Sequence, residues 1–326
     1  MLADLETVKS LVRQKRNLVL AGDEALLRAL PDGHWIGGTI PYFMTADGGR
    51  ASRSQVFVVE VPEFAESTRI SVYDEETICS VGIDSPENGY TILILPAFSR
   101  LHRLFALESP RYDQQYYKVL AGWIAGSHLD DTGRVSPKVF AGPRRECLES
   151  KGVAMHVELP PTYQARLGIV NIFEPGDGET IQFPETGFEA SECIVGGKRE
   201  NILDFVGRSG IDLRLPLVSD FCGFKLNVSI QAAEISTRKL RFFAPVFEGV
   251  TYRAAKPIAN YAQRFVTALP TEAGQPVFAC NCVLNYLHGQ LEGRRTGDLL
   301  GPMTFGEIAC QLLNQTLVYI AASKRS

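Results

Sequence analysis

Apolar residues recur along this chain with a period near 3.6 in some stretches and near 2 in others, and the changes of period divide it into elements. At the start, Leu5, Val8, Leu11 and Val12 fall on one face of a charged segment, which predicts an amphipathic helix. "NLVLAG" (17–22) reads as a short buried strand, and "DEALLRALPDG" (23–33) as a helix capped by Asp23 and stopped at Pro31-Asp32-Gly33. "HWIGGTIPYF" (34–43) predicts a strand and "TADGG" a turn, while "SQVFVVEVP" (54–62) alternates as strands do. "TRISVYD" (68–74) and "TICSVGI" (77–83) extend the strand-rich run. The plan then starts again: strand "GYTILILPAF" (89–98), helical "SRLHRLFALE" (99–108) and "YDQQYYKVLA" (112–121), strand "GWIAG" (122–126), a polar turn, then strands "SPKVFAG" (136–142) and "KGVAMHVEL" (151–159). "WIGGT" beside "WIAGS" makes the repeat visible, and a repeated unit that buries one face against its twin is its physical meaning.

Pro160-Pro161 is the expected boundary between two homologous halves, residues 1–160 and 161–326, because paired prolines interrupt both helix and sheet. Beyond it, 166–187 reads as strand, turn, strand, and "RENILDFVGRSG" (199–210) as a helix. "IDLRLPLV" (211–218), "GFKLNVSIQAAEI" (223–235) and "RKLRFFAPV" (238–246) read as strands, and "PIANYAQRFVTAL" (257–269) as a helix. "QPVFACNCVLNYL" (275–287) reads as a strand, and "LLGPMTFGEIACQLLNQTLVYIAA" (299–322) as two strands about a turn, which is the first unit's plan once more. The expected class is therefore α/β of the α+β type, with mainly antiparallel sheets and flanking helices, arranged as a layered sandwich.

The 326 residues carry 45% hydrophobic and 21% charged residues and a net charge of −4, an ordinary globular balance without the basic patch that nucleic acid requires. No stretch reaches the ~20 apolar residues of a membrane span, and the first residues lack a signal-peptide core, so a cytoplasmic location without membrane contact is expected. Seven scattered cysteines (79, 147, 193, 222, 280, 282 and 310) suit reduced thiols rather than a disulfide framework.

"GPMTFGEIA" followed by "NQTL" places Gly301, Thr304, Gly306, Glu307, Asn314 and Thr316 in an order that resembles the C-terminal part of a FIST domain. "WIGGTIPYF", "GWIAG", "KVFAG" and "GVAMHVEL" are similar to its N-terminal part, with Pro41-Tyr42 standing where that family often has Gly-Glu. The resemblance spans roughly residues 15–322. It implies a sensory module for a small molecule, an amino acid or related metabolite, that acts without catalysis through a separate signalling protein, and it allows a haem-binding sensor as an alternative.

Glu307 is the residue best suited to hold an amine, with Thr304 beside it as a hydroxyl; Gly301, Gly306, Gly37, Gly38 and Thr39 would let a ligand approach the backbone. The alternatives are that Glu307 caps a turn and that Gly37-Gly38 marks a bulge or close packing between repeats. Cys280, Cys282 and His288 offer soft donors for zinc or haem iron, and His102 is the histidine whose context best suits haem, although buried thiols and a loop histidine explain the same pattern. A thiol-dependent enzyme using Cys280 is a further alternative and needs a base nearby. "VGGKRENILDF" (195–205) lacks the full spacing of a phosphate loop, and no catalytic motif is present.

Overall fold

The computed structural model describes residues 1–221, 224–270 and 275–325, with residues 220, 221 and 224 described by their backbone alone. Cys222 and Gly223, the latter the first residue of an expected strand, lie outside the described residues. The α+β class is as expected: mostly antiparallel sheets with helices against them.

A four-strand plan occurs three times. The first unit is β1 (Leu18–Gly22), β2 (Trp35–Thr39), β3 (Tyr42–Thr45) and β4 (Val56–Glu60). The second is β5 (Gly89–Pro96), β6 (Leu120–Ala125), β7 (Val139–Ala141) and β8 (Gly152–Glu158). The third is β9 (Gln275–Cys282), β10 (Gly301–Thr304), β11 (Glu307–Ala309) and β12 (Leu317–Lys324). In each, the first two strands pair in parallel across a helix and the fourth pairs antiparallel with the first. The third strand leaves its own unit: β7 joins β2, β11 joins β6, and β3 joins β10. This cyclic exchange closes three sheets around one shared core, so the repeat is threefold and the sheets form three sides rather than a two-layer sandwich. The half 1–160 holds two units, whereas 161–326 holds one unit and an inserted β-rich layer.

Strand geometry explains the unbroken apolar runs, because successive side chains point to opposite faces and both faces are covered. Val19, Ala21, Ile92 and Ile94 enter the shared core, while Leu18, Leu20, Leu93 and Leu95 meet the outer helices. Those helices include α1 (Leu5–Arg13), α2 (Glu24–Arg28) and α3 (Arg100–Glu108), capped by Asp4, Asp23 and Ser99. The inserted layer has its own core around Phe183, Phe205, Phe242 and Tyr252, with α4 (Ile202–Ser209) against it. It rests on the second unit, where Phe188 and Ala244 join the cluster beneath α3. The third unit carries α5 (Tyr261–Ala268) and α6 (Val283–His288).

The strand expected at 211–218 begins only at Leu217, and three further elements differ for local reasons. Residues 77–83 turn into a 3-10 turn and the short helix Val81–Asp84 rather than a strand, because Asp74 Oδ1 accepts from the Glu76 and Thr77 amides and from the Thr77 hydroxyl. Residues 112–119 are turns, with Gln114 in the left-handed region (φ 63°), and Leu120 and Ala121 already belong to β6. The expected strand 275–287 ends at Cys282 and continues as α6, since Asn281 Oδ1 accepts from the Cys282 amide and from Asn285 Nδ2 at the junction.

Candidate functional site

In open α/β sheets the carboxyl ends of parallel strands are where loops diverge and ligands can enter. β1 and β2 end side by side at Gly22 and Thr39, and a cleft of about 160 Å³ opens there between the first two units. Its lining includes two buried hydroxyl residues, Thr39 and Ser127. The Lys138 amide donates to Thr39 Oγ1 at 2.9 Å, and the Gly126 amide donates to the Thr39 carbonyl at 2.6 Å, which ties the two units together. Ser127 is 7% exposed, and its Oγ has no hydrogen-bond partner among the described residues. A buried hydroxyl without a partner carries a desolvation cost that a ligand would relieve.

Charges of both signs rim the cleft. Arg53 pairs with Asp131 at 2.6 Å, and both remain partly exposed. Asp23 caps α2 through the Ala25 amide at 3.1 Å and has no basic partner among the described residues. Glu24 is held below the usual carboxylate range: burial alone would raise it, but hydrogen bonds from Lys138 and Arg28 outweigh that. His128 stacks on Tyr42 at 5.4 Å, and its Nδ1 accepts from the Asp130 amide.

A second polar cluster is enclosed in the seam between the second and third sheets. Glu307, opposite Trp123 on β6, is 0% exposed. Its Oε2 accepts from the Thr316 amide (3.1 Å) and hydroxyl (2.7 Å), while Oε1 has no partner among the described residues. Burial pushes this carboxyl up to about 8, against the opposing pull of the Thr316 bonds. Thr304 Oγ1 contacts the Gly306 and Asn281 carbonyls at 2.9 and 3.2 Å. The sequence-predicted residues Thr304, Gly306, Glu307, Asn314 and Thr316 are thus brought together, in the interior and apart from the cleft.

Residues 3–323 match the model of a family described as Family of unknown function (DUF6976). The chain belongs to this family. No curated protein and no solved structure matches it.

In this DUF6976 member the remaining predicted residues separate. The paired glycines lie within an unbroken β2, without a bulge, and serve packing. A Cβ on Gly38 would lie 2.7 Å from Ile94 Cγ2 and 3.0 Å from Trp123 Nε1, and one on Gly37 would lie 3.1 Å from the Leu20 carbonyl. Gly301 faces the Ala279 carbonyl, with 1.9 Å left for a Cβ. Cys280 donates its thiol hydrogen to the Gly122 carbonyl at 3.2 Å, and burial pushes Cys280 and Cys282 well above the ordinary thiol range, the reverse of what a nucleophile needs. Cys280, Cys282 and His288 do not converge on a metal, and among the described residues no group of three His, Cys, Asp or Glu could hold one. His102 lines a separate pocket of about 180 Å³, too small for a porphyrin as it stands.

Ser127, Arg53 and Asp131 had no place among the sequence-predicted site residues. Ser127 follows "WIAG" as Thr39 follows "WIGG", and that parallel is the signal that finds it. Asp131, by contrast, reads as an ordinary acidic turn residue.

Proposed function

We propose that the chain binds a small zwitterionic metabolite, an amino acid or a close relative, in the cleft at the ends of β1 and β2. It does so without catalysis, and passes the signal to a separate protein in the cytoplasm. The observation that carries this reading is Ser127, a buried hydroxyl without a partner among the described residues, in the lining of a cleft that also carries the paired Arg53 and Asp131 and the carboxylate of Asp23. A zwitterion supplies the complementary pair. The Arg53–Asp131 bridge is partly exposed, its side chains 50% and 24%, and surface bridges are worth about 0–1 kcal/mol, so a ligand can exchange with it at modest cost. The FIST-like order of glycines and hydroxyl residues is consistent with a sensory role and adds support. Glu307 is enclosed by protein, so an amine would reach it only if the seam opened, whereas Ser127 belongs to the lining of a cleft.

A thermal-shift panel of amino acids, small organic acids and nucleotides tests the reading. A chemically coherent set of zwitterions should stabilise the fold by about 2.7 kcal/mol at a hundredfold excess over Kd. The same compounds should fail with Ser127→Ala and Arg53→Gln. Stabilisation confined to nucleotides or plain anions would overturn it.

A further inference from the structure

The pocket that holds His102 lies at the end of β5, the second unit's counterpart of the end of β1 where the first cleft opens. Its walls come from two layers: Phe98, His102 and Arg103 at the start of α3, Phe305 after β10, and Phe188 and Phe243 from the inserted layer. The aromatic edges are well ordered relative to one another. Phe98 meets Phe305 edge-on at 6.1 Å, and His102 meets Phe188 edge-on at 6.2 Å.

Two polar features face this aromatic lining. His102 is 7% exposed, and its Nδ1 accepts from the Phe98 amide at 3.3 Å, which leaves the proton of the neutral ring on Nε2. That Nε2 is buried and has no partner among the described residues, so a donor stands ready for an acceptor that the protein does not provide. Burial, with help from Arg103, also holds the ring down to about 4, which keeps it neutral at physiological pH. The second feature is charge. Arg103 lies 4.7 Å over the Phe188 ring and pairs with no carboxylate among the described residues. The other charges in the wall are already engaged: Glu189 with Lys239 at 2.5 Å, and Arg241 with Glu234 at 2.8 Å. The positive end of α3 adds to the field of Arg103.

We propose that this pocket is a binding site for a small aromatic carboxylate, with the ring among the phenylalanines, one carboxylate oxygen accepting from His102 Nε2 and the other facing Arg103. The size agrees, since a dry cavity of ~150 Å³ holds a single benzene ring and this one measures about 180 Å³. The phenylalanines of the mixed lining favour a ring over a bare inorganic anion, and the guanidinium of Arg103 favours a charged ring over a neutral one. The site is independent of the zwitterion cleft.

Calorimetric titration of the full chain with benzoate tests the assignment, with acetate and benzyl alcohol as controls that lack the ring or the charge. Benzoate should bind saturably, and both controls should bind at least roughly tenfold more weakly. His102→Asn keeps an acceptor for the Phe98 amide but places no donor where Nε2 stood, and Arg103→Gln removes an exposed charge while keeping a polar side chain beside Phe188. Each should weaken benzoate by roughly tenfold, the scale of one lost hydrogen bond to a charged group, whereas Arg53→Gln should leave it unchanged. No saturable benzoate binding by the folded wild type, equal affinity for acetate, or affinity unmoved in both variants would overturn the proposal.

Discussion

Glu307 is a fully buried carboxyl, with one oxygen held by Thr316, the Cys282 thiol close by and no cation pairing with it among the described residues. Burial raises it to about 8, above its ordinary 4.5, so the folded chain keeps a proton there that the unfolded chain releases. The sign follows: its contribution is complete below about pH 4.5 and is lost as pH rises toward about 8, at up to ~1.4 kcal/mol per pH unit. Glu307→Gln, a neutral isostere, should therefore flatten the decline in unfolding free energy between pH 5 and 8 measured by denaturant titration. An unchanged slope would contradict the burial of a protonated carboxyl. His156 acts in the opposite sense. It sits between Thr91 and Tyr73, and burial lowers it to about 4, so its contribution is present above about pH 6.5 and lost as pH falls toward 4. In His156→Gln the acid limb of the stability curve should move to lower pH. The glycine-flanked turn singled out Glu307 in the sequence as a ligand contact; its enclosure was not legible there, because that depends on β11 crossing from the third unit into the second sheet.

At the scale of elements, the apolar pattern located the strands of the repeat but not always the face each residue takes. "WIGG" and "WIAG" align by eye, yet Trp35 packs on the helix side of its sheet and Trp123 enters the shared core. A shift of one residue turns a side chain to the other face, and the letters alone do not record it. Packing explains the glycine at position 38 within the strand: Ile94, Trp123 and Ala125 occupy the space where its side chain would be. Gly38→Ala should cost about 1–3 kcal/mol of stability by overpacking, seen as a lowered denaturant midpoint with an unchanged slope. A neutral effect would mean that a void remains there. The helix read as a strand at 283–287 shows the limit of periodicity. An apolar run fits both, and the Asn281 side chain decides where the strand stops.

For the whole molecule, the exchange of third strands makes each sheet depend on two units. Residues 1–160 contain β3 without β10 and β6 without β11, so two of their pairings are missing. That fragment, expected from its prolines to be a half in its own right, should not show a cooperative unfolding transition alone and should gain one when residues 161–326 are supplied in trans. A sharp transition of the isolated fragment would contradict the interlocked arrangement. The threefold plan was partly visible in the sequence, where the final strands repeat the layout of the first. What concealed it is the inserted layer, which separates the third unit from the other two by a whole β-rich segment with its own core.

The exchange also places buried polar side chains at the junctions between units, in the cleft and in the seam. Calorimetric titration of the best zwitterionic hit into the wild type, Arg53→Gln and Glu307→Gln separates them directly. Binding in the cleft predicts that Arg53→Gln loses at least roughly tenfold in affinity, as when a charged hydrogen bond is removed, while Glu307→Gln binds as the wild type does. Loss of binding in Glu307→Gln with full retention in Arg53→Gln would move the ligand into the seam and contradict the cleft.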